Sequence, residues 1–167
     1  MKAAAILLSL MLIGCAVSPT SSETSSVTES QPTEDAAENM AGNSRVTAVE
    51  ATPSDAGYRF AVTVESDETG CDRYANWWEI ITPDGELLYR RILAHSHVDE
   101  QPFTRSGGPV EVAGDQDVIV RSHMNTTGYS TQAMQGTANA GLAATTLPAD
   151  FAPELAAAGP QPSGCAF

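Results

Sequence analysis

Residues 58–65 alternate between large apolar and mostly polar side chains, and this alternation limits the possible fold more than any other feature. The apolar positions of the segment are Tyr58, Phe60, Val62 and Val64. Successive side chains of a β-strand point to opposite faces of its sheet, so a period of two predicts a half-buried strand. The segment therefore indicates a sheet protein.

Two further β-rich runs, residues 77–82 and 86–94, flank the Pro-Asp-Gly sequence at 83–85. Two such runs around a short loop that contains glycine predict a hairpin. Trp77 and Trp78 are adjacent, so on a strand they point to opposite faces. We expect one tryptophan in the core and the other either under a second layer or at a contact surface.

Additional strands are predicted at 46–50 and 118–124, with a short one at 110–113. Turn-forming residues at 53–57 separate the first strand from the alternating segment, and Gly-Gly-Pro at 107–109 predicts another turn. Because turns recur about every eight to twelve residues and no long amphipathic helix is indicated, we expect an antiparallel β-sandwich of the immunoglobulin-like type.

Residues 137–167 are rich in alanine, glycine and proline. They predict a tail that wraps around the domain, with at most a short helix near 153–158. We therefore expect a folded β-sandwich domain at 45–167. Its length of about 120 residues is enough for one modest hydrophobic core.

The N-terminus has the features of a secretory signal. Lys2 precedes an apolar run of about eleven residues, which is shorter than the roughly 20 residues that a bilayer span needs. The run ends in Leu-Ile-Gly-Cys at 12–15, which resembles the lipobox of bacterial lipoproteins. This resemblance implies removal of a signal peptide at 1–14 and lipidation of Cys15. The alternative is an ordinary signal peptide that is cut elsewhere.

The lipobox resemblance also implies a location at the cell envelope, with the domain outside the cytoplasm. Lipoproteins of this family carry a diacylglyceryl group and usually an N-acyl chain, and stable anchoring takes more than one chain. The family's usual inner-membrane retention signal is an aspartate directly after the cysteine, and residue 16 is alanine. The outer membrane is therefore expected if the source has one.

Residues 15–44 contain eleven serines or threonines, five acidic residues and no aromatic residue. Such a segment cannot bury enough apolar surface to offset the entropy lost on ordering, so we predict a lipidated, disordered tether. A flexible chain of this length has an end-to-end distance of roughly 30 Å. The formal net charge of the whole chain is −13 at pH 7. Because so acidic a chain repels nucleic acid, no nucleic-acid partner is expected.

The chain has three cysteines. If Cys15 is lipidated, Cys71 and Cys165 remain as an even pair in an oxidising compartment, and we predict a disulfide between them. The alternative is metal binding by the two thiolates, which is disfavoured because neither belongs to a C-x-x-C pair.

His95 and His97 form an H-x-H pair, and His123 lies in the predicted strand 118–124. If the preceding strand continues through Val98, both rings of the pair project from one face, roughly 6.5–7 Å apart. The three imidazoles could then meet at one end of the sandwich and bind Zn²⁺ or Cu²⁺. The alternative is that all three are hydrogen-bonded structural residues. Further candidate ligands, carboxylates in general and methionines for copper, are Asp99, Glu100, Met124 and Met134.

Five of the arginines lie between residues 73 and 121. The planar guanidinium of arginine binds carboxylates in a bidentate fashion. Arg91, Arg105 and Arg121 are therefore candidates for a site that binds a small anion or an acidic polymer. The alternative is that the arginines pair internally with nearby acidic residues, namely Asp72, Glu79, Asp99 or Glu100.

No sequence motif identifies a reaction, and we assign no catalytic residue or obligatory cofactor. From residue 71 to residue 167 the chain resembles a domain of uncharacterised bacterial envelope proteins, chiefly at 95–105, 123–125 and 165–167. This resemblance implies a domain and no activity. We therefore expect a lipid-anchored envelope protein whose β-domain binds an envelope protein or a small anionic ligand. The alternative is a zinc- or copper-binding envelope protein that uses the histidines.

Overall fold

The computed structural model describes residues 44–166. The predicted signal peptide, the lipidation site Cys15, the tether up to residue 43 and Phe167 lie outside the described residues. Within the described part of the chain, no helix is long and apolar enough to cross a membrane.

The described residues form nine β-strands and one short 3₁₀ helix, Pro153–Ala157. In chain order the strands are β1 (Ser44–Ser54), β2 (Gly57–Ser66), β3 (Ala75–Ile81), β4 (Leu87–Ile92), β5 (Phe103–Val110), β6 (Asp117–Met124), β7 (Gly128–Tyr129), β8 (Gln132–Thr137) and β9 (Gly141–Thr146).

The strands form two antiparallel sheets, which confirms the predicted sandwich. One sheet has the order β1-β2-β5, and the other has the order β4-β3-β6-β8-β9 with the short β7 paired to β6. The main core lies between the sheets. Phe60, Val62 and Val64 of β2 are fully buried there, and Trp78 and Ile80 of β3 belong to the same cluster. The alternation in β2 therefore follows the burial of one face of its sheet.

Strand β3 is buried on both of its faces. Trp78 points into the main core, whereas Trp77 points to the opposite face, as the adjacent positions predicted. A second apolar cluster, with Ile81 and Ile119 in it, is packed on by Phe151 and Leu155 of the tail. The tail therefore forms a third layer over the larger sheet.

Three predicted details of the strands are wrong. Strand β4 ends at Ile92 rather than at residue 94, and the predicted turn at 107–109 lies inside β5. Gly107 is required within β5, because a Cβ atom there would lie 2.7 Å from the Trp78 ring. The predicted strand at 110–113 is only the end of β5 at Val110.

The predicted tail at 137–167 is correct only in part. Its first section contains β9, which pairs with β8, and the expected short helix is the 3₁₀ helix. Strand β1 begins at Ser44, the last residue of the predicted tether, where the Ser44 hydroxyl lies 2.8 Å from that of Ser122. The predicted boundary between tether and domain, at 44/45, therefore lies inside β1.

Cys71 and Cys165 form the predicted disulfide, with their Cα atoms 5.5 Å apart. Beside it, the backbone N–H of Ala166 donates to the carbonyl oxygen of Ala94 at 2.6 Å. The C-terminal tail is thus fixed against the start of the segment that connects β4 to β5.

Candidate functional site

His95 and His97 lie in the loop of residues 93–102 between β4 and β5. The strand does not continue through Val98, so the condition for both rings to project from one strand face is not met. The loop leaves the sheet after Leu93. The N–H of Leu93 still donates to the carbonyl of Asn76 on β3 at 2.9 Å, whereas the Ala94 carbonyl accepts from the N–H of Ala166 in the tail. Beyond Leu93 the described residues form no further pair with β3.

The buried carboxylate of Glu68 holds the loop in place by accepting hydrogen bonds. One of its oxygens accepts from the Ser66 hydroxyl at 2.7 Å and from the Ala75 N–H at 3.2 Å. The other oxygen accepts from the backbone N–H of His97 at 2.5 Å. Hydrogen bonds to a buried carboxylate are strong, so the backbone at His97 is rigidly placed.

The His97 side chain is 97% buried, since its relative exposure is 3%. Its ring stacks on Phe103 with 3.8 Å between centroids, and the exposed His95 ring lies 4.4 Å away. Among the described residues, neither ring nitrogen of His97 has a hydrogen-bond partner. Burial, helped by the positive charge of Arg105 and by His95, lowers the pKa of His97 to about 4.

His123 belongs to a different environment, on the face of the larger sheet that the tail covers. Its ring stacks on Trp77 at 3.7 Å, and its Nδ1 lies 2.7 Å from the side-chain oxygen of Asn76. Burial, together with the nearby Arg90 and Arg121, lowers the pKa of this imidazole to about 4. The ring is therefore a neutral packing element.

The described residues do not assemble the predicted metal site of His95, His97 and His123. Within residues 44–166, no group of three His, Cys, Asp or Glu side chains is arranged to hold a metal ion. The contacts of His123 are with Trp77, Tyr129 and Asn76, whereas His97 contacts Phe103 and His95. Met124 and Met134, the suggested copper ligands, are buried in the main apolar core.

Glu79 lies between two arginines because of the strand register. It is the cross-strand neighbour of Arg90 on β4 and of Arg121 on β6. Arg90 donates from Nε and Nη2 to one carboxylate oxygen at 2.9 and 2.7 Å, and Arg121 donates from Nε to the other at 3.0 Å. The three side chains are at most 5% exposed. Glu79 was among the predicted internal partners, and this pairing is confirmed.

The remaining donors of both arginines bind backbone carbonyls of the tail. Arg90 donates to Leu155 and Ala158 at 2.6 Å each. Arg121 donates to Phe151 at 2.6 Å and to Ala152 at 3.0 Å. Arg121 is thus buried, and each of its three guanidinium nitrogens donates to an acceptor within the protein. Its predicted role in binding an external anion is therefore wrong.

Arg91 and Arg105, the other two predicted anion-binding residues, line one cavity of about 240 Å³ with His95 and His97. Arg91 is exposed and donates from Nε to the carbonyl of Ser106 on β5 at 3.2 Å. No carboxylate lies within ion-pair distance of Arg91 in the described chain. The cavity lies where β4 and β5 approach the loop, at the edge of the sandwich.

Arg105 has a partner, which is the exposed carboxylate of Glu100. Its Nη2 donates to Glu100 at 2.6 Å, and this hydrogen bond holds the pKa of Glu100 below its usual range. The Glu100 side chain is 58% exposed, so the pair is largely solvated. Glu100 therefore acts as an arginine partner, the role that internal pairing predicted for it.

Neither Glu68 nor Tyr129 was predicted from the sequence as a candidate site residue. Tyr129 packs against His123 and donates from its hydroxyl to Glu79 at 3.2 Å, and burial raises its pKa to about 12. Neither residue belongs to a motif or a periodic run. The local sequence does not distinguish Glu68 from its acidic neighbours Asp67 and Asp72.

No family model matches the chain, and no solved structure matches it. The chain is similar to a protein of Halomicrobium mukohataei described as "Putative lipoprotein", with 44% identity over 89 residues. The match covers 52% of this chain and 44% of the relative, so the chain spans less than half of the relative's length. About half of the chain is thus related to a protein that is described as a lipoprotein.

Proposed function

We propose that this protein is anchored to the cell membrane through lipid on Cys15 and holds its β-sandwich outside the cytoplasm as a binding module. The observation that carries the proposal is the 44% identity to a protein described as a lipoprotein. The Leu-Ile-Gly-Cys sequence at 12–15 supplies the acceptor cysteine for such an anchor. The proposal takes the polar segment that follows, rich in serine and threonine, as the tether.

The disulfide supports the location outside the cytoplasm. Disulfides form and persist in oxidising compartments and are rare in the reducing cytosol. The bond joins residues 94 positions apart, so it closes a long loop that contains β3 to β9 and the tail. A domain closed in this way suits an exported protein.

The loop between β4 and β5 supports the role of a binding module. Its backbone is fixed by Glu68 and by the C-terminal tail. Its two histidines border an open cavity together with Arg91 of β4 and Arg105 of β5. Pre-organised polar groups around a concavity are the usual basis of ligand recognition. We therefore assign the binding role to this end of the sandwich.

Membrane fractionation of cells that produce the wild-type chain or Cys15→Ser tests the anchor. Wild type is expected in the membrane fraction, released by detergent and not by high salt. Cys15→Ser is expected to lose that association, whereas Cys71→Ser/Cys165→Ser is expected to retain it. Release of wild type by high salt would contradict the proposal, and so would retention of Cys15→Ser in the membrane fraction.

A further inference from the structure

We propose that the cavity lined by Arg91, Arg105, His95 and His97 binds a small oxyanion of the phosphate or sulfate kind. This cavity is called the loop cavity below. The inference names a ligand class for the proposed binding module and rests on that proposal. Its test does not depend on the lipid anchor.

The first argument is local charge. The whole chain has a formal charge of −13, yet two guanidinium groups from different sheets border the loop cavity. Arg91 comes from β4 and is held by carbonyl oxygens of Ser106 and Ile92, which leave its Nη2 without a protein acceptor among the described residues. A guanidinium held by neutral carbonyls keeps its full charge for a ligand.

The second argument is the His97 imidazole. It is 97% buried, lines the loop cavity and has two ring nitrogens without a hydrogen-bond partner among residues 44–166. A buried polar atom without a partner costs free energy, so such a group in a native fold calls for an explanation. A ligand oxygen in the loop cavity would accept from the imidazole N–H and so supply one partner.

The same charges argue against a metal ion in the loop cavity. Burial lowers the pKa of His97, and the Arg105 guanidinium lowers it further against the opposing effect of Glu100. The buried Glu68 carboxylate lies 4.0 Å from Nδ1 of His97, but both of its oxygens already accept hydrogen bonds within the protein. The charges that border the loop cavity itself are the two guanidinium groups. A divalent cation would be repelled by both of them. An anion would instead be attracted by both guanidinium groups. The electrostatics therefore favour an oxyanion over Zn²⁺ or Cu²⁺ at this H-x-H pair.

The carboxylate of Glu100 competes with an oxyanion for Arg105. Glu100 binds Arg105 from the solvent side, and its side chain is 58% exposed. Exposed ion pairs are worth little, so an oxyanion can displace this carboxylate at small cost. Removing the Glu100 charge should therefore strengthen binding, whereas removing either arginine charge should weaken it.

The test is sulfate and inorganic phosphate binding to the chain from residue 15 onward, carrying Cys15→Ser and the intact disulfide. Calorimetric titration at constant ionic strength gives affinities, and the NMR signals of the His97 ring report the site. We expect saturable binding by wild type, at least ten-fold weaker binding by Arg91→Gln and Arg105→Gln, and several-fold tighter binding by Glu100→Gln. Arg59→Gln, at an exposed arginine on β2, is the matched control and should bind like wild type.

Equal binding by all variants, or no saturable binding of either ion, would overturn the oxyanion site. So would tight Zn²⁺ or Cu²⁺ binding that is lost in His97→Phe, or binding to anionic phospholipid vesicles without binding to the free ions. Tighter sulfate or phosphate binding by Glu100→Gln supports the site even if an arginine variant fails to fold. If wild type is released from membranes by detergent but binds neither ion, the ligand class is rejected and the proposed lipid anchor is still supported.

Discussion

At the scale of single residues, Glu79 is the charge on which the covered face of the larger sheet depends. It pairs with both Arg90 and Arg121, and those arginines in turn bind the tail carbonyls. Removing one partner of a buried ion pair costs about 3–5 kcal/mol, because the other charge stays buried and uncompensated. Loss of the Glu79 charge should therefore also disturb the tail, because the two arginines that it binds hold the tail carbonyls.

We expect Glu79→Gln to lower the free energy of unfolding by about 3–5 kcal/mol in urea denaturation. Glu65→Gln is the matched control. It removes the carboxylate partner of Arg45 in a half-exposed pair, and its effect should be about 1 kcal/mol or less. Similar effects of the two substitutions would mean that the buried triad is not a main support of the fold.

The buried histidines predict a pH dependence of stability. The pKa of both His97 and His123 is about 4, below the ordinary value of 6.5. Between these values the unfolded chain binds protons that the folded chain does not, so stability is fully present above pH 6.5 and is lost as pH falls towards 4.

We expect His123→Phe, which keeps an aromatic ring against Trp77, to lose less stability than wild type between pH 7 and pH 5 in urea denaturation. His95→Gln, at an exposed ring, should follow wild type. If His123→Phe and wild type lose the same stability over this range, the histidine is not the source of the dependence.

At the scale of secondary-structure elements, β5 passes close to β3 and β4 at the cavity edge of the sandwich. A Cβ atom on Gly107 would lie 2.7 Å from both the Trp78 and the Tyr89 rings. Since no rotamer moves a Cβ atom, either the rings or the strand would have to shift. This close approach also sets the distance between the two arginine-bearing strands.

We therefore expect Gly107→Ala to destabilise the domain by about 1–3 kcal/mol, the usual cost of overpacking. Gly159→Ala is the control, because nothing lies within 4 Å of its added Cβ atom. Thermal unfolding of both variants checks the prediction, and an unchanged midpoint for Gly107→Ala would show that β5 can move away freely.

The strands that were predictable from the sequence are those in which side-chain pattern and burial agree. In β2 the buried face consists of Phe60, Val62 and Val64, and β3 is rich in large apolar residues and buried throughout. Strands β8 and β9 were not predictable, because their glycine, alanine and glutamine residues have low β-propensity and tertiary pairing decides their structure.

The candidate site was predictable in its members and not in its geometry. Arg91, Arg105, His95 and His97 were all candidate ligand-binding residues, and they do border one cavity. Their separation from Arg121 and His123 depends on β4 ending at Ile92 and on the tail covering β6. Both depend on long-range hydrogen bonds, which the local sequence pattern does not contain.

At the scale of the whole molecule, the tail and the disulfide close the domain. The tail provides a third layer, binds Arg90 and Arg121, and reaches the start of the loop through Ala166. Reduction of the disulfide should therefore loosen the loop cavity as well as the tail.

We expect Cys71→Ala/Cys165→Ala to lower the free energy of unfolding by about 4 kcal/mol, since the closed loop is long. Hydrogen exchange should also become faster in the tail and at residues 93–97, with little change in β2. A uniform increase in exchange across the domain would instead indicate that the bond stabilises the fold as a whole, without a specific effect on the cavity.

The anchored location is the central claim, and the mass of the mature protein tests it most directly. The measurement is non-reducing intact-mass and N-terminal peptide analysis of wild-type protein extracted from membranes. We predict a chain that begins at Cys15, with added hydrocarbon mass on that residue and no free thiol. A mature chain that starts elsewhere, or that contains an unmodified Cys15, would contradict it.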